Sequence, residues 1–211
     1  MYAAAAMQST PHDVCSKYLD IYGLDGVFPV ANTEIGRSPA IVSEEILYPE
    51  IAPALALRGG QVFVQCSSEI GSPNPTHKQI VRRARAIENL GYVVSANTAG
   101  ISGTLMPLAS ADGNSAIIDR KGNVLAKSNG SETFTAFADL EFADLRRARR
   151  KLGMTNYLSR QRLELFAAAY AGQVQPANSL IDDHAAVIPG RDHFKRGQEQ
   201  VIVRSSDAGL I

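Results

Sequence analysis

A chain of 211 residues with 45% hydrophobic and 20% charged residues has the composition of an ordinary globular protein, long enough to bury a substantial core as one domain with a tail. Lysine plus arginine balances aspartate plus glutamate at 21 each, so no overall field draws in nucleic acid or an anionic membrane. Two cysteines, Cys15 and Cys66, without CxxC spacing argue against a disulfide framework or a zinc site and point to a reducing, cytoplasmic setting.

The opening MYAAAAMQSTPHD lacks the basic flank and apolar run of an export signal, and no later run reaches membrane-spanning length. The sequon Asn129-Gly130-Ser131 therefore reads as a turn. Pro39 to Val42 is a short buried strand, and Pro49 opens a helix to Arg58 that Gly59-Gly60 closes. Ser43 lies between them, where many hydrolases hold a nucleophile; it reads as a nucleophile, a replacement for one, or a turn residue.

Gln61 to Gln65 is the next strand, and the loop CSSEIGSPNP follows it. Thr76 to Leu90 is helical, with Ile80, Ala84, Ile87 and Leu90 on the inward face and Lys78, Arg82, Arg83 and Arg85 mostly elsewhere. Tyr92 to Ala96 is a third buried strand. Strands alternating with helices predict parallel or mixed sheet covered by helices.

SAIIDRKGNVLAKS carries a hairpin about Arg120 to Asn123, and Glu132 to Leu140 alternates as a strand leading into a helix near Glu141. This divides the chain into a domain over 1–152 and a C-terminal helix with an extended tail over 153–211. SRQRLELFAAAYA reads as one helix, residues 172–211 carry little periodicity, and VIVR near the end is strand-like. The basic runs at Arg82 to Arg85 and Arg146 to Lys151 read as solvated helix faces rather than nucleic-acid patches. No phosphate-loop or dinucleotide glycine pattern occurs, so no cofactor is expected. His12, His77, His184 and His193 form neither a Ser-His-Asp signature nor a metal set.

Three blocks in order, GRSPAIVSEEILYPEIAPALALRGGQVFV, RARAIENLGYVVSAN and GNSAIIDRKGNVLA, resemble the nitrilase superfamily of carbon–nitrogen hydrolases over Gly36 to Lys151. The resemblance implies an α/β fold, a four-layer αββα sandwich, here without its N-terminal strands and helices. It also implies hydrolysis of a nitrile or amide C–N bond by a cysteine nucleophile, a glutamate base and a lysine that stabilises the tetrahedral intermediate. Aligned on Tyr48-Pro49-Glu50, the family's cysteine falls on Ser43. The family's glutamate and lysine lie upstream, and the residues before Ser43 do not accommodate the segments that carry them, so the N-terminus reads as truncated.

On this resemblance Ser43 and the backbone N–H of Glu44, in an oxyanion hole, are the candidate catalytic groups, and Ser68 and Asn97 at neighbouring strand ends face the substrate. Lys17, Glu34 and Cys66 read as ordinary residues rather than replacements for the missing groups. The expected partners are a small nitrile or amide and a second copy of the chain. The alternative is an inactive pseudoenzyme that keeps only the fold and its self-association surfaces.

Overall fold

The β-branched and aromatic runs VFVQCS and YVVSAN pair side by side as parallel strands, and helices fold back over the sheet they found. The computed structural model describes residues 10–129, 133–171 and 175–210. In chain order, α1 (Cys15–Val27) precedes β1 (Val30–Thr33) and β2 (Gly36–Val42). A 3₁₀ turn (Ser43–Leu47) leads to α2 (Ile51–Leu57), followed by β3 (Val62–Ser67), α3 (His77–Glu88) and β4 (Tyr92–Asn97). The hairpin of β5 (Ala116–Ile118) and β6 (Val124–Lys127) leads on to α4 (Phe142–Arg150) and α5 (Tyr157–Arg160). The chain ends with α6 (Leu163–Ala169), the ribbon of β7 (Ile181–Asp182) and β8 (Ala185–Ala186), and α7 (His193–Asp207).

Two units result: residues 28–160, and a second made of the segments before Phe28 and after Arg160. The first holds one six-stranded sheet in the order β1-β2-β3-β4-β5-β6. Its centre, β2-β3-β4, is parallel, and β1, β5 and β6 join antiparallel. This is the α/β class expected, a mixed sheet with helices. In the second unit the Asp13 carboxylate accepts from the Thr10 N–H (2.8 Å) and the Ser179 hydroxyl (2.6 Å), and Asn178 Oδ1 accepts from the Ser16 N–H (2.9 Å).

In the first unit the register places Ile41, Gln65, Ser95 and Ala116 in one row across the sheet, with Pro39, Phe63, Val93 and Ile118 in the next row on the same face. These side chains are buried, and α3 reaches the first row through Arg82, which donates to Gln65. On the opposite face Val62, Tyr92 and Leu145 form a core cluster, joined by Leu140 and Phe142, whose ring meets Tyr92 edge-on. Each such fully buried apolar side chain contributes about 1.5–3 kcal/mol. Gly91 is required by closeness: a Cβ there would stand 2.5 Å from Phe63 Cε2.

The inward face of α3 differs from the one the apolar pattern predicts. Leu90 is buried and Ala84 and Ile87 half-buried as the pattern predicts, but Ile80 is 58% exposed, whereas Arg82, Arg85 and Asn89 are buried. These three, with Lys78, recur at helical spacing and make one polar stripe directed at the sheet and the 3₁₀ turn. Arg82 and Arg85 are therefore not solvated, because the surface they meet is itself lined with carbonyls and amides. Arg149 departs from the solvated reading as well. It donates to the carbonyls of Leu90 (3.0 Å), Gly60 (2.6 Å) and Asn89 (2.9 Å), and burial pulls its guanidinium down to about 10.

Other expectations shift locally. Residues 133–140 form no strand: their exposure alternates, yet no ladder partner lies beside them among the described residues. Glu132 and most of the sequon, Gly130-Ser131, fall outside the described residues. SRQRLELFAAAYA breaks into α5 and α6 rather than one helix, and VIVR lies inside α7, where neighbouring helical turns outweigh its β-branched residues. Among the described residues no helix is long and apolar enough to cross a membrane.

Candidate active site

The chain leaves β2 at Ser43 with φ of 51°, a left-handed backbone that costs a non-glycine residue about 1–3 kcal/mol unless its surroundings impose it. Here they do. The buried Glu45 carboxylate folds back to accept the Val42 N–H (2.8 Å), and Gln65 Nε2 donates to the Ser43 carbonyl (3.1 Å). From α3, Arg85 Nε and Nη2 donate to the carbonyls of Ile46 (3.1 Å) and Leu47 (3.2 Å) at the far end of the turn. Ser43 and Glu44 open this 3₁₀ turn, where backbone N–H groups lack partners within the turn itself.

The Ser43 hydroxyl faces the start of α3. Thr76 caps that helix by accepting the Gln79 N–H, which sets Lys78 in its first turn. Lys78 Nζ donates to Ser43 Oγ (3.2 Å) and to Ser67 Oγ (3.2 Å), with its side chain only 15% exposed. A cation in the first turn opposes the helix macrodipole, so helix stability does not account for a lysine there.

Behind Lys78 stands Glu69, with a side chain 8% exposed. One carboxylate oxygen lies 3.9 Å from Lys78 Nζ and accepts the Thr76 hydroxyl (3.1 Å); the other accepts Arg82 Nη2 (3.3 Å). Arg82 Nε in turn donates to Gln65 Oε1 (2.6 Å), which also accepts from Ser95 Oγ (3.0 Å). Gln65 thus links the carbonyl of Ser43 to the buried guanidinium. Burial pushes Arg82 below the usual arginine range, while the charges of Glu69 and Asp112 act the other way. Beside the elbow, burial raises the Tyr48 phenol, and the nearby Glu44 charge adds to the effect.

Of the residues singled out from the sequence, Ser43 and Glu44 sit together at the elbow. Ser68 is exposed one residue past β3, and it is Ser67 that the strand turns toward Lys78. The Asn97 side chain is engaged in holding loops, its Oδ1 accepting the Glu69 N–H (3.1 Å) and its Nδ2 donating to the Gly113 carbonyl (2.7 Å). Cys66 is exposed, and strand alternation sends it to the face opposite Gln65 and Ser67. Glu34 is exposed in the β1–β2 turn, and Lys17 belongs to α1.

Sequence reasoning missed Lys78, Ser67 and Glu69. The signal for Lys78 was its i, i+4 relation to Arg82 on the stripe that continues to Arg85 and Asn89. Together these residues bring a lysine nitrogen onto the hydroxyl of a strained serine elbow.

The frame is a parallel-centred α/β sheet with a strained serine elbow after β2, and the sequence comparison names the family that shares it. The chain belongs to the carbon-nitrogen hydrolase family, whose model matches residues 8–150. It is 32% identical over 122 residues to the deaminated glutathione amidase of Homo sapiens, covering 57% of this chain and 36% of that protein. It is 27% identical over 139 residues to the omega-amidase NIT2 of Bos taurus, covering 66% and 48%. A mutant of the amidase from Nesterenkonia sp. AN1, solved in complex with butyramide, superposes with a TM-score of 0.52 at 26% identity, over 67% of this chain and 47% of that one. The chain thus spans about half or less of the length of these relatives.

Proposed function

We propose that the chain hydrolyses the C–N bond of a small-molecule amide or nitrile, with Ser43 as the attacking group and the Ser43 and Glu44 N–H groups receiving the oxyanion. The observation that carries this reading is the left-handed backbone of Ser43 at the end of β2, a strain that four side-chain hydrogen bonds to the turn and its flanks maintain. A turn with no further role is made with glycine or asparagine at lower cost. The amidase relatives and the butyramide complex support a small amide as the substrate class.

The test is a panel of short aliphatic amides, ω-amides of dicarboxylic acids and nitriles, with ammonia release as the readout. Turnover by the wild-type chain that Ser43→Ala abolishes supports the reading. No turnover by wild type and none gained by Ser43→Cys removes it.

A second reading, an inactive homologue retained for its fold and self-association, draws support from Asn97, whose side chain is occupied by loop contacts instead of facing outward. Its signature is a stable homodimer in sedimentation equilibrium together with a silent panel.

A further inference from the structure

We propose that Lys78 is the proton acceptor for Ser43, so that the site runs on a serine–lysine pair built from the elbow and the first turn of α3; this rests on Ser43 being the attacking group. Among the described residues, Lys78 is the side chain whose nitrogen hydrogen-bonds Ser43 Oγ, at 3.2 Å, within reach for proton transfer before substrate tightens the site. Ser67 Oγ, also at 3.2 Å, gives the amine a second anchor. As a free amine, Nζ donates to Ser67 and offers its lone pair to the Ser43 O–H, the reverse of the donation an ammonium makes.

Of the charged groups around Lys78, the Glu69 carboxylate, 3.9 Å from Nζ, attracts positive charge there and so works against a free amine. Glu69 is the carboxylate closest to it, but that carboxylate is shared with Arg82 and the Thr76 hydroxyl. Glu45 is turned back onto the Val42 N–H, and Asp112 is held by Gln79 Nε2 and Asn114. Glu44 flanks Ser43, and the exposed His77 precedes Lys78 on α3.

The balanced sequence is as follows. Ser43 Oγ bonds to the amide carbon as its proton passes to Lys78 Nζ, and the carbonyl oxygen becomes an oxyanion. When the oxyanion collapses the C–N bond breaks, and the leaving amine takes the proton back from Nζ, leaving an ester on Ser43. Water then attacks that ester, giving a proton to Nζ. The C–Oγ bond breaks, Ser43 recovers the proton, and the acid departs.

The probe is p-nitrophenyl acetate with the full chain. Nitrophenolate release gives the acylation rate, and peptide mapping separates acetyl-Ser43 from acylation of the exposed Cys66. The expected result is a wild-type rate that climbs with pH from 6 to 10, and a Lys78→Met rate lower by about 10²–10⁴-fold and flat in pH. Lys78→Arg stays as slow as Lys78→Met, because a guanidinium keeps its protons, and added methylamine restores Lys78→Ala in proportion to its free-base concentration.

Absence of acetyl-Ser43 in the wild type overturns the attacking role of Ser43, and the proposal with it. Acetyl-Ser43 formed equally fast by Lys78→Met, or full activity in Lys78→Arg, overturns the lysine's role alone. A wild-type acylation rate flat in pH does the same without any variant, so a Lys78 variant that fails to fold does not shield the proposal.

Discussion

Arg82 is the cation on which both the sheet and the candidate site depend, and Arg82→Met measures how much. The guanidinium is 1% exposed and donates to Gln65 Oε1, to the Asn114 carbonyl (3.3 Å) and to Glu69 Oε2. Methionine fills much of the volume but donates nothing. Gln65 Oε1 keeps Ser95 as a donor, so it is not orphaned. The half-buried Asn114 carbonyl loses this donor, which costs about 0.5–1.5 kcal/mol. Glu69 keeps only Thr76 and the more distant Lys78, and breaking a buried charge pair on one side costs about 3–5 kcal/mol.

These two costs overlap, so the expected loss is about 3–5 kcal/mol in urea unfolding with an unchanged m-value. At roughly 2–4 °C per kcal/mol for a chain of this size, the melting temperature falls by about 6–20 °C. Glu69→Gln removes the stranded charge, so Arg82→Met/Glu69→Gln is less destabilised than the sum of the single changes, by about 1–3 kcal/mol in a double-mutant cycle. A loss under about 1 kcal/mol for Arg82→Met, or strict additivity with Glu69→Gln, refutes the view that this pair is buried and coupled.

Three further changes probe other parts of the same unit. Arg149→Met strips donors from three carbonyls, those of Gly60, Asn89 and Leu90, and is expected to cost about 3 kcal/mol by chemical denaturation. Gly91→Ala drives a Cβ into Phe63 and the Gln61 carbonyl, and the overpacking should cost about 1–3 kcal/mol; a neutral result would show that Phe63 repacks freely. Asp144 accepts from Arg120 and, secondarily, Arg147, which hold its carboxyl below the ordinary range. Its contribution is therefore fully present above the ordinary carboxylate range and is lost as pH falls through the lowered value, so Asp144→Asn should flatten that part of the acid limb in melts between pH 6 and 2.

How much of this was legible in the sequence depended on which physical cue each element carries. The strands announce themselves through β-branched runs, and the hairpin through Arg120 to Asn123, because local chemistry decides both. The run from Thr133 to Leu140 alternates in exposure but has no ladder partner among the described residues, and alternation cannot report whether one exists. The α3 face was misjudged for a more instructive reason. Apolar periodicity assumes that a helix meets an apolar surface, and α3 instead meets the amide of Gln65, the hydroxyl of Ser95 and the carbonyls of the turn that follows Ser43. A surface rich in acceptors selects donors, so Arg82 and Arg85 face inward, and the isoleucine at position 80 is left exposed. The same selection fixes the first turn of that stripe, one helical turn before Arg82. A lysine there is aimed at the sheet by the arginines that follow it, and it arrives at the hydroxyl of Ser43. Basic residues read as solvent-facing hid the site, because burying them is how α3 both holds the elbow and delivers an amine to it.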